Sequence, residues 1–187
     1  HELTSKSSEL IFEDEKVSVH TIPLDHRIYT NGFLFKEKPF ERKLDVNKAE
    51  DLNIDKAYYR KLKQGDDVVN EKGQIISNES VTYQGHEPKS YAFCSDTAYK
   101  EAIIPLINGV DVLYHESTFL ESHANLCTKT KHSTAKQAAT IALKANVKQL
   151  ILGHYSTRYG GLEGFKTEAS TVFKDVLLAD DGKVFEF

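Results

Sequence analysis

Two cysteines in 187 residues are too few for a disulfide framework. Cys94 sits inside an apolar run and Cys127 in a polar segment, and neither belongs to a Cys-x-x-Cys pair, so both read as reduced, incidental thiols. No apolar run approaches the ~20 residues of a membrane span, and no basic, apolar and small-residue leader opens the sequence. A soluble, cytoplasmic protein without a membrane partner is the expectation. An excess of one charge is also missing: 24 Lys and Arg stand against 28 Asp and Glu, a formal net charge of −4 with pI near 6.1. That balance argues against global attraction to nucleic acid or anionic membrane, so any such contact has to come from a local patch. The sequence also lacks a Gly-rich phosphate loop, Ser-x-x-Lys, Gly-x-Ser-x-Gly and HExxH, and with them the chemistries those patterns carry.

The length suits one substantial core, or part of a larger one. The first residue is His1, and only a short polar lead-in precedes strand-like sequence, so a fragment or processed chain is expected. Glu9 to Phe12 and Val17 to Leu24 read as antiparallel strands around the polar turn Glu13-Asp14-Glu15-Lys16, and Gly32-Phe33-Leu34-Phe35 as a third strand. Over 36–80 the character changes to alternating charges. Leu44 to Leu52 and Tyr58 to Lys63 read there as short helices, and Lys72-Gly73 as a hairpin turn, in an inserted arm or polar excursion rather than core. Beyond Ser90 strands and helices alternate. Strand 91–95 precedes a helix from about Ala98 to Ile107, and strand 111–115 a helix from Thr134 to about Ala145 that Ser133 can cap. Strand 148–153, a helix near Leu162 to Phe173 and a last strand in Val176 to Phe187 follow. This alternation implies βαβ units and a largely parallel sheet, in which ligands collect beyond the carboxyl ends of the strands.

Three apolar runs stop at residues able to hold a metal or carry a proton. They are Tyr91-Ala92-Phe93-Cys94-Ser95-Asp96-Thr97, Val112-Leu113-Tyr114-His115-Glu116-Ser117-Thr118 and Leu152-Gly153-His154-Tyr155-Ser156-Thr157-Arg158-Tyr159. Asp96 reads as a helix N-cap or as a metal ligand, because capping uses one oxygen and leaves the other free. His154 reads as a satisfied interior residue or as a ligand, with Gly153 permitting close backbone approach. Arg158 suits a bidentate phosphate contact or a surface salt bridge. His26, in Leu24-Asp25-His26-Arg27, reads as a loop bystander or as an imidazole oriented by Asp25. His132 precedes a helix N-terminus, where anions are favoured, and reads as a surface histidine before a capping segment or as a residue placed to meet a phosphate or a leaving-group oxygen. Glu116 is an exposed carboxylate or a partner that keeps such a histidine protonated. His1, His20, His86 and His123 read as bystanders. The positive charges Lys36, Lys38, Arg42, Lys43, Arg60, Lys61 and Lys63 mix with Phe33, Phe35, Phe40, Tyr58 and Tyr59. Such a mixture is a solvated face or a nucleic-acid surface.

Taken in order, Phe93-Cys94-Ser95-Asp96-Thr97, His115-Glu116-Ser117-Thr118, His132-Ser133-Thr134-Ala135 and the Leu152 to Tyr159 run resemble ribonuclease Z. That family comprises tRNA 3′-processing endonucleases of the metallo-β-lactamase fold. His26 followed by Gly32-Phe33 is similar to the family's earlier histidine before its Gly-Tyr or Gly-Phe pair. The resemblance implies an α/β fold, the C-terminal part of an αββα sandwich, with one sheet, its covering helices and part of the other. It implies a two-zinc site with Asp96 bridging and His26 and His154 as ligands, and His132 backed by Glu116 at the scissile phosphate and leaving oxygen. Arg158 becomes an added phosphate contact. Lys38, Arg42, Lys43, Arg60, Lys61 and Lys63 of the arm become a docking element for precursor tRNA. The family's His-x-His-x-Asp-His cluster occurs nowhere in the sequence, and Asn53 to Tyr58 stands where a Gly-Pro element is common. The present chain therefore resembles roughly the C-terminal three-fifths of such an enzyme. It is expected to be inactive and weak in zinc binding by itself, and to self-associate as a homodimer through an exposed sheet face. Two other readings remain: a different metallo-β-lactamase-fold phosphodiesterase or sulfatase, and a non-catalytic RNA-binding module. If the metal reading holds, His26, Asp96 and His154 should converge within about 7 Å.

Overall fold

A computed structural model describes residues 3–187. His1, one of the bystander histidines, lies outside them. The chain forms two compact units, one made of the stretches ending at Glu37 and starting at Lys89, the other of Lys38–Pro88.

The first unit is built on a seven-stranded sheet of β1 (Leu10–Glu13), β2 (Val17–Pro23), β3 (Asn31–Glu37), β4 (Ser90–Cys94), β5 (Val112–Glu116), β6 (Gln149–Gly153) and β7 (Val176–Leu178), adjacent in that order. The steps β1/β2, β2/β3 and β3/β4 are antiparallel, and the three that follow are parallel. Both expectations hold: β1 and β2 pair antiparallel, and the strands after Ser90 pair parallel; the links joining β1 to β2 and β2 to β3 are too short for a crossover and can only reverse the chain. At the first reversal the Asp14 carboxylate accepts the Lys16 and Val17 N–H groups at 2.7 and 2.8 Å.

Three helices accompany the parallel half: α1 (Ala124–Thr130), α2 (Ala135–Lys144) and α3 (Glu163–Ser170). The α-helix expected over Ala98 to Ile107 is instead a 3₁₀ segment, Glu101–Leu106, with Pro105 inside it. Proline has no N–H to give to an i→i−4 ladder, and the tighter turn accommodates it. Helix α2 is capped by Thr134, not Ser133. The Thr134 hydroxyl accepts the Gln137 N–H at 3.1 Å while the Gln137 side chain accepts the Thr134 N–H at 3.0 Å, and Ser133 spends its hydroxyl on the Thr97 carbonyl at 2.7 Å.

Strand alternation sorts the two sheet faces. Ile22, Leu34, Ala92, Cys94, Leu113, Leu150, Leu152 and Val176 are buried in one core with Ala138, Ile141 and Ala142 of α2 and Phe165 and Ala169 of α3. The other face carries Phe33, Phe35, Tyr91, Phe93 and Tyr114, half-buried to exposed, with Phe93 stacked on Tyr114 at 4.7 Å and Phe35 on Tyr91 at 6.0 Å. The large sheet is the one sheet of the sandwich found among the described residues, and the expected part of the second is not found there. No helix among the described residues is long and apolar enough to cross a membrane.

The second unit has a core of its own, Ala49, Ile54, Leu62, Val68, Ile76 and Val81, where the sequence reads as a polar excursion. These apolar residues come singly or in pairs within polar and charged sequence. Only the packing of helices Val46–Asp51, Tyr59–Gln64 and Asn78–Val81 with the strand pairs Lys43–Leu44/Thr82–Tyr83 and Val68–Val69/Ile75–Ile76 collects them. The Lys72-Gly73 turn is present, with Gly73 at φ 76°, a conformation that suits glycine. Asn70 closes this hairpin by accepting the Lys72 and Gln74 N–H groups at 3.0 and 2.9 Å.

Candidate active site

β2 runs antiparallel to β3, and β3 antiparallel to β4, so β2 points the same way as β4, β5 and β6. Their carboxyl ends share one edge of the sheet, where ligands collect in sheets of this kind. His26 follows β2, Asp96 follows β4, Glu116 ends β5 and His154 follows β6. Asp96 and His154 both have φ 58°, in the left-handed region that costs a non-glycine residue about 1–3 kcal/mol. This conformation removes Asp96 from capping, and the cap position of the following 3₁₀ segment is held by Lys100. His154 Nε2 and Asp96 Oδ1 lie 3.2 Å apart, with both side chains about two-fifths exposed.

Glu116 is fully buried, not the exposed carboxylate that was one alternative. Its Oε1 accepts the Thr97 N–H at 2.8 Å and His132 Nδ1–H at 2.7 Å. Its Oε2 accepts the N–H groups of Thr118 and Ser133, each at 3.1 Å, and the Thr118 hydroxyl at 2.7 Å. Burial pushes the Glu116 carboxyl up, but its bonds from His132, Thr118 and Ser133 outweigh this and hold it below the ordinary carboxylate value. In return the hydrogen bond to Glu116 raises His132 above the ordinary imidazole value, against the opposing effect of burial.

The His26 ring is oriented by a backbone carbonyl. Lys131, at φ 61°, turns its C=O toward His26 Nδ1 at 3.0 Å. A carbonyl only accepts, so Nδ1 carries a proton, and in the neutral ring Nε2 is the nitrogen with the lone pair. Asp25, expected to do this orienting, instead pairs with Lys131 Nζ at 3.0 Å. A lysine held in the left-handed region leaves no mark in the sequence, which is why Lys131 escapes a reading of motifs. Among ligand-type atoms, one each from His26, Asp96 and His132 lie within 4.8 Å of one another, and so do one each from Glu116, His132 and His154. The ring centroids of His132 stand 5.0 Å from His26 and 5.1 Å from His154.

No family model matches the chain. A curated ribonuclease Z from Porphyromonas gingivalis is 44% identical over 181 residues, 97% of this chain and 60% of that protein. This chain belongs to the ribonuclease Z family. It spans about three-fifths of the length of the curated relatives it matches. The fold is that of the metallo-β-lactamases. The metallo-β-lactamase fold protein YhfI from Bacillus subtilis superposes with a TM-score of 0.61 at 17% identity, over 94% of this chain and 52% of YhfI. The short form of human tRNase Z gives 0.57 at 21% identity, over 97% of this chain and 47% of that one.

The remaining residues singled out by the ribonuclease Z resemblance sit as follows. Gly153 is needed because a Cβ there would overlap the Tyr114 hydroxyl, whose ring crosses the mouth of β6. Arg158 lies over the Phe119 ring at 5.4 Å, and that ring in turn meets His132 edge-on at 6.4 Å. In the 38–88 unit Arg42, Lys43, Arg60 and Lys63 line one open groove of about 1170 Å³ together with Phe40, Tyr59, Tyr83 and His86. Arg42 is anchored there by its Nε on the Thr82 hydroxyl at 2.6 Å. Lys61 lies outside the groove lining, over the Tyr58 ring at 5.9 Å, and so does Lys38.

Proposed function

We propose that this chain forms the C-terminal part of a zinc-dependent endoribonuclease that removes 3′ trailers from precursor tRNA in the cytoplasm. The observation that carries the reading is the convergence of His26, Asp96, His132 and His154 at one sheet edge, in a ribonuclease Z homologue. Imidazole nitrogen and carboxylate oxygen are the donors zinc takes. The geometry fits such an ion: His26 presents a bare Nε2, and His154 Nε2 faces a carboxylate oxygen across a space that a cation would satisfy.

In this reading His26, Asp96 and His154 would hold two zinc ions, the imidazole nitrogens and the carboxylate oxygens being the donors. The metals, when bound, supply charge stabilisation at the phosphate and activation of the attacking water. His132 keeps a proton because Glu116 lies against its Nδ1, and it donates from Nε2 to the leaving oxygen. Arg158 adds a phosphate contact. Lys38, Arg42, Lys43, Arg60, Lys61 and Lys63 bind the RNA backbone away from the cut, with aromatic side chains of the same groove available to unpaired bases. The resemblance puts the His-x-His-x-Asp-His ligands outside this sequence. Residues 1–187 alone are therefore inactive and weak in zinc, and the aromatic face of the sheet pairs with a second copy.

The test is zinc content and precursor-tRNA cleavage by a protein of the relatives' length. Asp96→Ala and His154→Ala should each abolish cleavage and lower zinc content, and unchanged cleavage in either would sink the enzyme reading in favour of an RNA-binding module. Deleting 38–88 is feasible, because Glu37 and Lys89 already bond to each other, N–H to carbonyl at 2.8 Å. Loss of tRNA cleavage with small phosphodiesters still hydrolysed supports the tRNA reading; equal retention of both favours another phosphodiesterase. Activity restored to residues 1–187 by added zinc would overturn the proposed inactivity, and a monodisperse monomer by light scattering would overturn the dimer.

A further inference from the structure

We propose that Thr118 ties His154 to Glu116, so that one buried carboxylate sets the tautomer and ring orientation of two of the three imidazoles at the site, His132 directly and His154 through the threonine hydroxyl. Thr118 Oγ1 stands 2.7 Å from Glu116 Oε2 and 2.8 Å from His154 Nδ1. It is buried, at 7% exposure, and has a single proton for two neighbours. An ionised carboxylate only accepts, and Glu116 already receives the Thr97 N–H and His132 Nδ1–H on Oε1 and the Thr118 and Ser133 N–H groups on Oε2, bonds that all favour the ionised form. If the hydroxyl gave its proton to His154, two oxygen lone pairs would face each other at 2.7 Å around a charge that water cannot reach, the costlier defect. The proton therefore goes to Glu116, and Thr118 accepts from His154 Nδ1–H.

This assigns Nε2 of the neutral His154 ring as the bare nitrogen, facing Asp96 Oδ1 at 3.2 Å. Asp96 is two-fifths exposed and water can serve it, whereas Glu116 has no such recourse, so the buried partner decides the tautomer. Thr118 is thus a positioning residue. It holds His154 with its lone pair toward Asp96 and links it mechanically to His132, whose own Nδ1–H is taken by the other oxygen of the same carboxylate. The inference rests on the proposed function only for its meaning in catalysis, since the proton positions are properties of this chain without metal or RNA.

The test is long-range ¹H–¹⁵N spectroscopy of the histidine rings in residues 1–187, metal-free, at a pH above the ordinary imidazole range. In the unmodified chain His154 should show a protonated Nδ1 and a bare Nε2, and Thr118→Ser should preserve that pattern even where it lowers stability. Thr118→Val, which keeps the shape and removes the hydroxyl, should move most of the population to the Nε2–H tautomer, while His132 keeps its Nδ1 proton. Nε2–H on His154 in the unmodified chain, or an unchanged pattern in folded Thr118→Val, overturns the inference. Should the valine variant not fold, Thr118→Ala against Thr118→Ser gives the same comparison, and the unmodified chain alone can already refute the assignment. Failure of tRNA cleavage by a protein of the relatives' length, with the tautomer as stated, would count against the proposed function and leave this inference intact.

Discussion

The sheet unit and the 38–88 unit hold their candidate functional side chains in opposite ways. In the first, a fully buried carboxylate collects five hydrogen bonds from Thr97, Thr118, Ser133 and His132, and every partner belongs to a loop that also carries a site residue. In the second, a six-residue apolar core holds the unit together, and Arg42, Lys43, Arg60 and Lys63 sit around an open groove. The contrast separates two kinds of recognition. A chemical site needs side chains fixed to a few tenths of an ångström, which buried polar networks provide, whereas a docking surface for a polyanion works through summed charge and tolerates mobile side chains.

Breaking the network should have the largest effect. Glu116→Ala strips the partner from His132 and from three backbone N–H groups, and a loss of about 3–5 kcal/mol from the sheet unit is expected in denaturant unfolding, as for breaking buried pairs generally. The 38–88 unit should keep its hydrogen-exchange protection. A loss below about 1 kcal/mol would mean that the network is not the keystone of the edge.

The converse break is Leu62→Ala, at a fully buried position of the small core. An expected cost of about 2–5 kcal/mol falls on the second unit alone. Exchange of amides in Tyr59–Gln64 should accelerate while β4–β6 stay protected. Loss of protection in both units together would show that they unfold as one.

A smaller effect comes with pH, and its sign follows from the two shifts. His132 is raised, so the stability it contributes is complete below its unfolded value and is lost as pH rises through the folded one. Glu116 is depressed, so its contribution is complete above its unfolded value and is lost as pH falls through the folded one. Stability measured across pH should therefore fall on the alkaline side above the ordinary imidazole range and on the acid side below the ordinary carboxylate range. Glu116→Gln should flatten both limbs, and persistence of the alkaline limb in that variant would assign it to another group.

The smallest effect per residue belongs to the groove. Replacing Arg42, Lys43, Arg60 and Lys63 by alanine should lower the salt dependence of tRNA binding. If the bound segment is single-stranded, the slope of log K against log salt should fall by about 0.7 for each phosphate that is no longer neutralised. Binding by filter retention over a salt series measures it. An unchanged slope would place the RNA elsewhere.

Much of the fold and the site is legible in the sequence. The strand runs ending in Asp96, Glu116 and His154 are visible because aliphatic residues on the core face alternate with Tyr91, Phe93 and Tyr114 on the other, so each reads as an apolar block, and a block that stops at an ionisable residue marks a strand end. His132 is visible through its helix start. The partner of His26 is not, because Asp25 is the adjacent carboxylate in sequence while the actual acceptor is a carbonyl 105 positions away. The core of the 38–88 unit is hidden for a similar reason: six apolar residues scattered among charges show no period, and only folding brings them together.

The sequence by itself determined the kinds of donor atoms, the order of the strands that carry them, and the kinship with ribonuclease Z, because these depend on residue identity and local periodicity. Only the tertiary structure decided what each imidazole Nδ1 faces: the Lys131 carbonyl for His26, Glu116 for His132 and the Thr118 hydroxyl for His154. It also decided that Glu116 is buried and shared, and that Asp96 and His154 lie in left-handed backbone. Proton positions and strain depend on contacts between residues far apart in the chain, and no local pattern encodes them.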